Sequence, residues 1–180
     1  MTADEVLESL QQWLLERNGA VVDPHVRYDW STRMIQQSVY DGLLKYIGNP
    51  PRIVPWLAER WEASPDGLTY SFDLVKTNWT DGKPMTSEDV RYAIMEVAAK
   101  YSPTFAPAGR VIDGIDTPAP DRVVIRLKQA YGPLMANLSC SLGGTILPAH
   151  VYQGTAIQTN PANTANPVGI GAFKLSEWKR

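Results

Sequence analysis

Residues 55–94 read PWLAERWEASPDGLTYSFDLVKTNWTDGKPMTSEDVRYAI, and this stretch decides the fold. A short apolar helix from Pro55 leads into Trp61-Glu62-Ala63-Ser64. Pro65-Asp66-Gly67 supplies the fixed φ and then the positive φ of a tight hairpin. Leu68, Tyr70, Phe72 and Leu74 alternate with Thr69, Ser71 and Asp73, the period of a half-buried antiparallel strand. Asp81-Gly82 makes a second turn. Thr86-Ser87-Glu88-Asp89 then caps a helix over 88–100 whose Val90, Ala93, Ile94, Val97, Ala98 and Tyr101 form one buried stripe. The order is strand, turn, strand, turn, helix, and none of it carries chemistry.

Outward from there, residues 31–45 predict a helix with Met34, Ile35, Val39 and Leu43 on one face. Asn49-Pro50-Pro51 breaks the chain before the hairpin, and Val21-Val22-Asp23-Pro24 reads as a strand end and turn. Residues 2–17 predict an amphipathic helix, with Thr2 and Glu5 as a capping box and Asn18-Gly19 as its stop. The chain thus divides into an N-terminal amphipathic helix within 1–20 and one body over 21–180. Past the central helix, residues 102–110 read as a loop with Pro103 and Pro107. Val111-Ile112 and Arg122–Leu127 read as strands about a Pro-rich turn. Pro133 suits the first turn of a short helix ending near Leu138. Ser139–Thr145 is small and flexible, and residues 153–167 are polar and turn-rich.

Composition narrows the function classes. At 180 residues, 44% hydrophobic and 20% charged, the chain is an ordinary globular domain with a sizeable core. Its 17 basic and 19 acidic residues give a net charge of −2, and no basic run interleaves with aromatics, so nucleic acid is not expected as a partner. Cys140 stands alone, which precludes an internal disulfide. No window reaches 18 apolar residues, so no membrane span is expected. The first twenty residues carry Asp4, Glu5, Glu8, Glu16 and Arg17 without an apolar core, unlike a signal peptide.

Catalysis has little support. Cys140 and His150 are the residue types of a thiol–imidazole pair, but Cys140 sits in no nucleophile motif. His25 and His150 have no partner at metal-ligand spacing, the Asp-Gly pairs are turns, and Gly169-Ile170-Gly171 lacks the third glycine of a nucleotide loop. The expectation is a protein that is no enzyme and takes no cofactor or metal. Trp56, Trp61 and Trp79 occupy packing positions. Tyr28, Tyr101 and Phe105 lie in or beside loops, where an aromatic can stack on a ligand.

Five segments in order bear a resemblance. They are the 55–94 stretch, Val39-Tyr40-Asp41-Gly42-Leu43-Leu44, Asp23-Pro24, Pro148-Ala149-His150-Val151-Tyr152, and Pro167-Val168-Gly169-Ile170-Gly171-Ala172-Phe173 with Glu177-Trp178. Together they resemble the family 5 extracellular solute-binding proteins, the peptide-, oligopeptide- and nickel-binding components of ABC importers. The chain departs from that family in Val22 for the usual Leu, in a short loop from Leu74 to Trp79, and in Ile170 and Ala172 for the usual Thr and Pro. The resemblance implies an α+β fold, a mixed sheet with peripheral helices, as the N-terminal lobe of a two-lobe, type II periplasmic-binding-protein-like architecture. It implies capture of a small solute or peptide for ABC permease subunits, by cleft closure, in the periplasm or at the cell surface. It marks His150 as structural, and places at the cleft edge Arg27, Tyr28, Tyr101, Phe105, Ser139, Cys140 and Ser141. The alternative is a stand-alone interaction or regulatory module derived from the binding lobe. The resemblance also implies a second lobe and a longer protein.

Overall fold

The computed structural model describes residues 30–163 and 166–174. The predicted N-terminal helix, the Asp23-Pro24 turn, Arg27 and Tyr28, and Glu177-Trp178 lie outside the described residues.

The predicted hairpin is the centre of the fold. Strand β3 (Ala58–Ala63) pairs antiparallel with β4 (Thr69–Leu74), with Trp61 opposite Phe72 and Ala63 opposite Tyr70. Gly67 takes φ +67°, and Asp66 locks the turn by accepting from Ser64 Oγ at 2.5 Å and from the Leu68 N–H at 3.0 Å. Phe72 is fully buried, while Tyr70 is only partly so. β4 pairs in turn with β6 (Arg122–Leu127), and β6 with β5 (Ile112–Ala119), giving a four-stranded sheet in the order β3-β4-β6-β5. A separate hairpin joins β1 (Leu44–Ile47) to β2 (Arg52–Pro55). These ladders are antiparallel, and one isolated bridge, Leu44 to Ser139, runs parallel.

A helical run over 87–101 covers the sheet. It begins as α-helix at Ser87–Tyr92, loosens to a π-helix at Ala93–Ala98 and closes with Ala99–Tyr101. Val90, Ala93, Ile94, Val97 and Ala98 are buried with Phe72, Val123 and Ile125 in one core. Tyr101, expected on that stripe, is 41% exposed, because the run ends there and the pitch change has carried it off the apolar face.

Three expectations are corrected. The apolar segment from Pro55 is extended, since β2 ends at Pro55 and β3 starts at Ala58; sheet pairing overrides a stretch too short to hold a helix alone. The helix expected over 31–45 is Trp30–Val39. It stops before Gly42, where a Cβ would lie 2.5 Å from the Cys140 nitrogen, so the chain must cross residues 138–140 there as extended backbone. Residues 102–110 are not all loop, because Ala106–Val111 is helical with Pro107 in its first turn, where proline is tolerated. The helix Leu134–Asn137 follows Pro133 as expected.

Candidate functional site

The small residues 139–145 meet two other parts of the chain. Cys140–Leu142 makes one 3₁₀ turn, which Gly143 ends at φ +97°. A Cβ on Gly143 would lie 2.5 Å from Ser102 Oγ and 2.7 Å from Thr104 Oγ1, so glycine is what lets the two loops touch. Thr104 Oγ1 donates to the Leu142 carbonyl at 3.1 Å, and Asn137 Nδ2 donates to the Thr104 carbonyl at 3.1 Å. Ser139 Oγ donates to the Ala136 carbonyl at 2.7 Å and lies 3.1 Å from Ser141 Oγ. From the third side, Gly42 bridges Thr145, and the Ile146 N–H donates to the Asp41 carbonyl at 2.9 Å. Cys140 Sγ lies 3.7 Å from the Tyr40 carbonyl and 3.5 Å from Thr145 Oγ1.

Of the expected site residues, Ser139, Cys140 and Ser141 therefore gather at one place with the 102–105 loop. Ser139 is buried, and Cys140 and Ser141 are half-buried. Phe105 belongs to the same loop, but its ring is fully buried in the core. Tyr101 is exposed and lines a groove with Arg91, Glu96, Lys100 and the 153–155 turn rather than the hydroxyl cluster. The sequence reading missed Ser102, Thr104 and Asn137. Asn137 Oδ1 is buried and accepts no hydrogen bond among the described residues, a costly arrangement. No sequence signal marks these three, because their meeting depends on contacts 33 and 38 residues apart along the chain.

The side chains at this place are neutral: hydroxyls, one thiol and one amide. Such groups can hydrogen-bond amides, hydroxyls and carboxylates without supplying charge. Among the described residues no group of three or more His, Cys, Asp or Glu is arranged to hold a metal ion. Beside the cluster, the buried Asp41 carboxyl is pushed up by loss of solvent, and partly held down by Trp56 and Lys45. Lys45 Nζ sits 3.6 Å from Asp41 and 3.8 Å from the centre of the Trp56 ring.

Two devices hold the loops in place. Asp89, 4% exposed, accepts from the Thr86 N–H at 2.8 Å, the Trp79 indole at 3.3 Å and the Ala149 N–H at 2.8 Å. One carboxylate thus ties the capping box, the Asp81-Gly82 turn and the helix Ala149–Tyr152 together. His150 on that helix adds a 2.7 Å bond to Asp81. The second device is the 167–173 segment. Ile170 and Gly171 donate to the Val39 carbonyl at 3.0 and 2.8 Å, Phe173 donates to the Ser38 carbonyl at 3.0 Å, and the Thr80 N–H donates to Gly169 at 2.9 Å. A Cβ on Gly169 would lie 2.1 Å from the Val39 oxygen, and one on Gly171 2.5 Å from the Ser38 oxygen. Close backbone packing, not phosphate, is what the Gly-x-Gly serves.

Comparison with known proteins adds the following. The family described as bacterial extracellular solute-binding proteins, family 5 Middle, matches residues 52–180. A Brucella ovis protein named for ABC-transporter peptide binding is 30% identical over 143 residues, covering 77% of this chain and 27% of its own length. The nickel-binding periplasmic protein of Escherichia coli K12 is 27% identical over 170 residues, covering 90% of this chain and 30% of its own. Among solved structures, NikZ from Campylobacter jejuni in complex with Ni(L-His) superposes with a TM-score of 0.74 at 27% identity, over 89% of this chain and 31% of that one. DppA from Helicobacter pylori, in complex with the peptide STSA, gives 0.72 at 26% identity over 89% and 35%. The chain therefore spans about a third or less of the length of these relatives.

Proposed function

This chain belongs to the bacterial extracellular solute-binding proteins of family 5, and we propose that it forms part of a binding protein that captures a small solute, foremost a peptide, for an ABC importer. The observation that carries the reading is the match over residues 52–180, joined to a 30% identical relative named for peptide binding. No described helix is long and apolar enough to cross a membrane. Permease subunits are the partners this role requires, and the periplasm or cell surface is where it is performed.

The ligand contact falls on the loops at 102–105 and 139–145, with Ser139, Cys140 and Ser141 at that place, Phe105 anchoring its loop in the core, and Arg27 and Tyr28 as further candidates from the sequence. Capture proceeds without a covalent step, by closure of a second lobe over the solute. The neutral hydroxyls and backbone groups suit a peptide main chain, which offers amide N–H and C=O groups. Cys140 reports on the reading directly. In the protein expressed from its whole reading frame, a mixture of di- to pentapeptides is expected to slow labelling of Cys140 by a thiol reagent. Equal reactivity with and without peptides removes the 139–141 turn from the ligand site.

A further inference from the structure

The helical run over 87–101 changes pitch in its middle. Residues Ala93–Ala98 are π-helical, with hydrogen bonds closing five residues apart, a geometry frequent at functional sites. In an α-helix, side chains five apart are rotated about 140° from one another. Here the wider turn brings Arg91, Tyr92, Glu96, Val97, Lys100 and Tyr101 round to one groove of about 300 Å³. The opposite wall is Gln153, Gly154, Thr155 and Ile157, turned by Gly154 at φ +78°. The pitch change is thus what builds the groove, and its volume is at the lower end of small-molecule sites.

Its chemistry is layered. Tyr92, Val97 and Ile157 close its floor but are only 7%, 1% and 5% exposed, so the apolar surface it offers is mainly the Tyr101 ring, 41% exposed. The rim carries a cation, a carboxylate and a second cation in sequence along the run: Arg91, Glu96 and Lys100. Arg91 pairs with Glu88 at 2.8 Å and Lys100 pairs with Glu96, with side chains 36–54% exposed. Exposed ion pairs of this kind are weak, so a ligand's own charges can replace them.

We propose that this groove binds a small amphipathic zwitterion, an α-amino acid with an apolar side chain. Its carboxylate takes Arg91 and Lys100, its ammonium takes Glu96, and its side chain lies against the Tyr101 ring. The site is distinct from the hydroxyl cluster at 102–105 and 139–145, and its occupation needs no second lobe.

The test is a ¹H–¹⁵N NMR titration of the 180-residue chain with L-leucine and, separately, with N-acetyl-L-leucinamide, which keeps the side chain but lacks both charges. Leucine is expected to shift the backbone amides of 96–101 and 153–157 saturably, with a dissociation constant at least tenfold lower than that of the amide. Glu96→Gln is expected to weaken leucine at least tenfold while leaving amides elsewhere unshifted. No saturable shift at those amides, or equal affinity for the two compounds, overturns the proposal with the unaltered chain alone, whatever the variant does.

Discussion

Asp89 shows how much one side chain can organise. Four donors from three parts of the chain converge on a carboxylate that is 4% exposed. Replacing it with alanine leaves buried N–H groups without an acceptor, each a substantial penalty. Asp89→Ala is expected to cost at least about 2 kcal/mol, read as a lower urea midpoint at unchanged slope. Asp81, close by, makes a different prediction. Its carboxyl lies below the ordinary carboxylate range: slight burial pushes it up, but the His150 bond, the Lys83 N–H and the charges of both residues outweigh that. A depressed folded pKa contributes stability that is present above the unfolded value of about 3.9 and is lost as pH falls through the folded value. Asp81→Asn should therefore be less stable than the parent at neutral pH, by under about 1 kcal/mol for so exposed a pair. The difference should fade below the unfolded carboxyl value, and a denaturant series across pH 2 to 7 checks both sign and window.

At the scale of elements, the helical run over 87–101 carries the core. Ile94 is fully exposed to the core and shut off from water at 0% accessibility, so Ile94→Ala should cost roughly 2–5 kcal/mol; a thermal or urea melt measures it. The elements legible in the sequence are those with a local cause. Pro65-Asp66-Gly67 specifies a turn wherever it stands, Thr86 and Asp89 cap a helix from within one turn, and β6 over Arg122–Leu127 alternates cleanly. Illegible elements have a distant cause. Ala58 is a strand residue because its N–H reaches the Leu43 carbonyl at 3.0 Å and its neighbour strand lies at 69–74. The helix at Trp30–Val39 stops where residues 138–140 need the space beside Gly42, which no spacing inside 31–45 records. The hydroxyl cluster was half visible: the run Ser139-Cys140-Ser141 stands out as small residues, while Ser102, Thr104 and Asn137 join it only through tertiary contact.

The whole molecule is closed by its 167–173 segment. Removing everything after Asn163 deletes the three bonds onto Ser38 and Val39 and the bond from the Thr80 N–H to Gly169. In hydrogen exchange, the Thr80 amide is then expected to exchange at least about tenfold faster, as local opening free energy falls by one hydrogen bond's worth. Amides within the β4–β6 ladder should change less. Exchange at Thr80 as slow as in the parent would show that the strap adds nothing to the turn it covers. The same strap sets how the molecule bears tension. The chain leaves at Ser38 and Val39 and returns to them at Ile170, Gly171 and Phe173, so the intervening residues hang as a loop from a doubled stem. Pulled at its two legs, that stem carries the load first through these three backbone bonds and the bond from the Thr80 N–H to Gly169. A pull on that stem therefore reaches the core directly, because Val39 belongs to it and Ile170 packs against it.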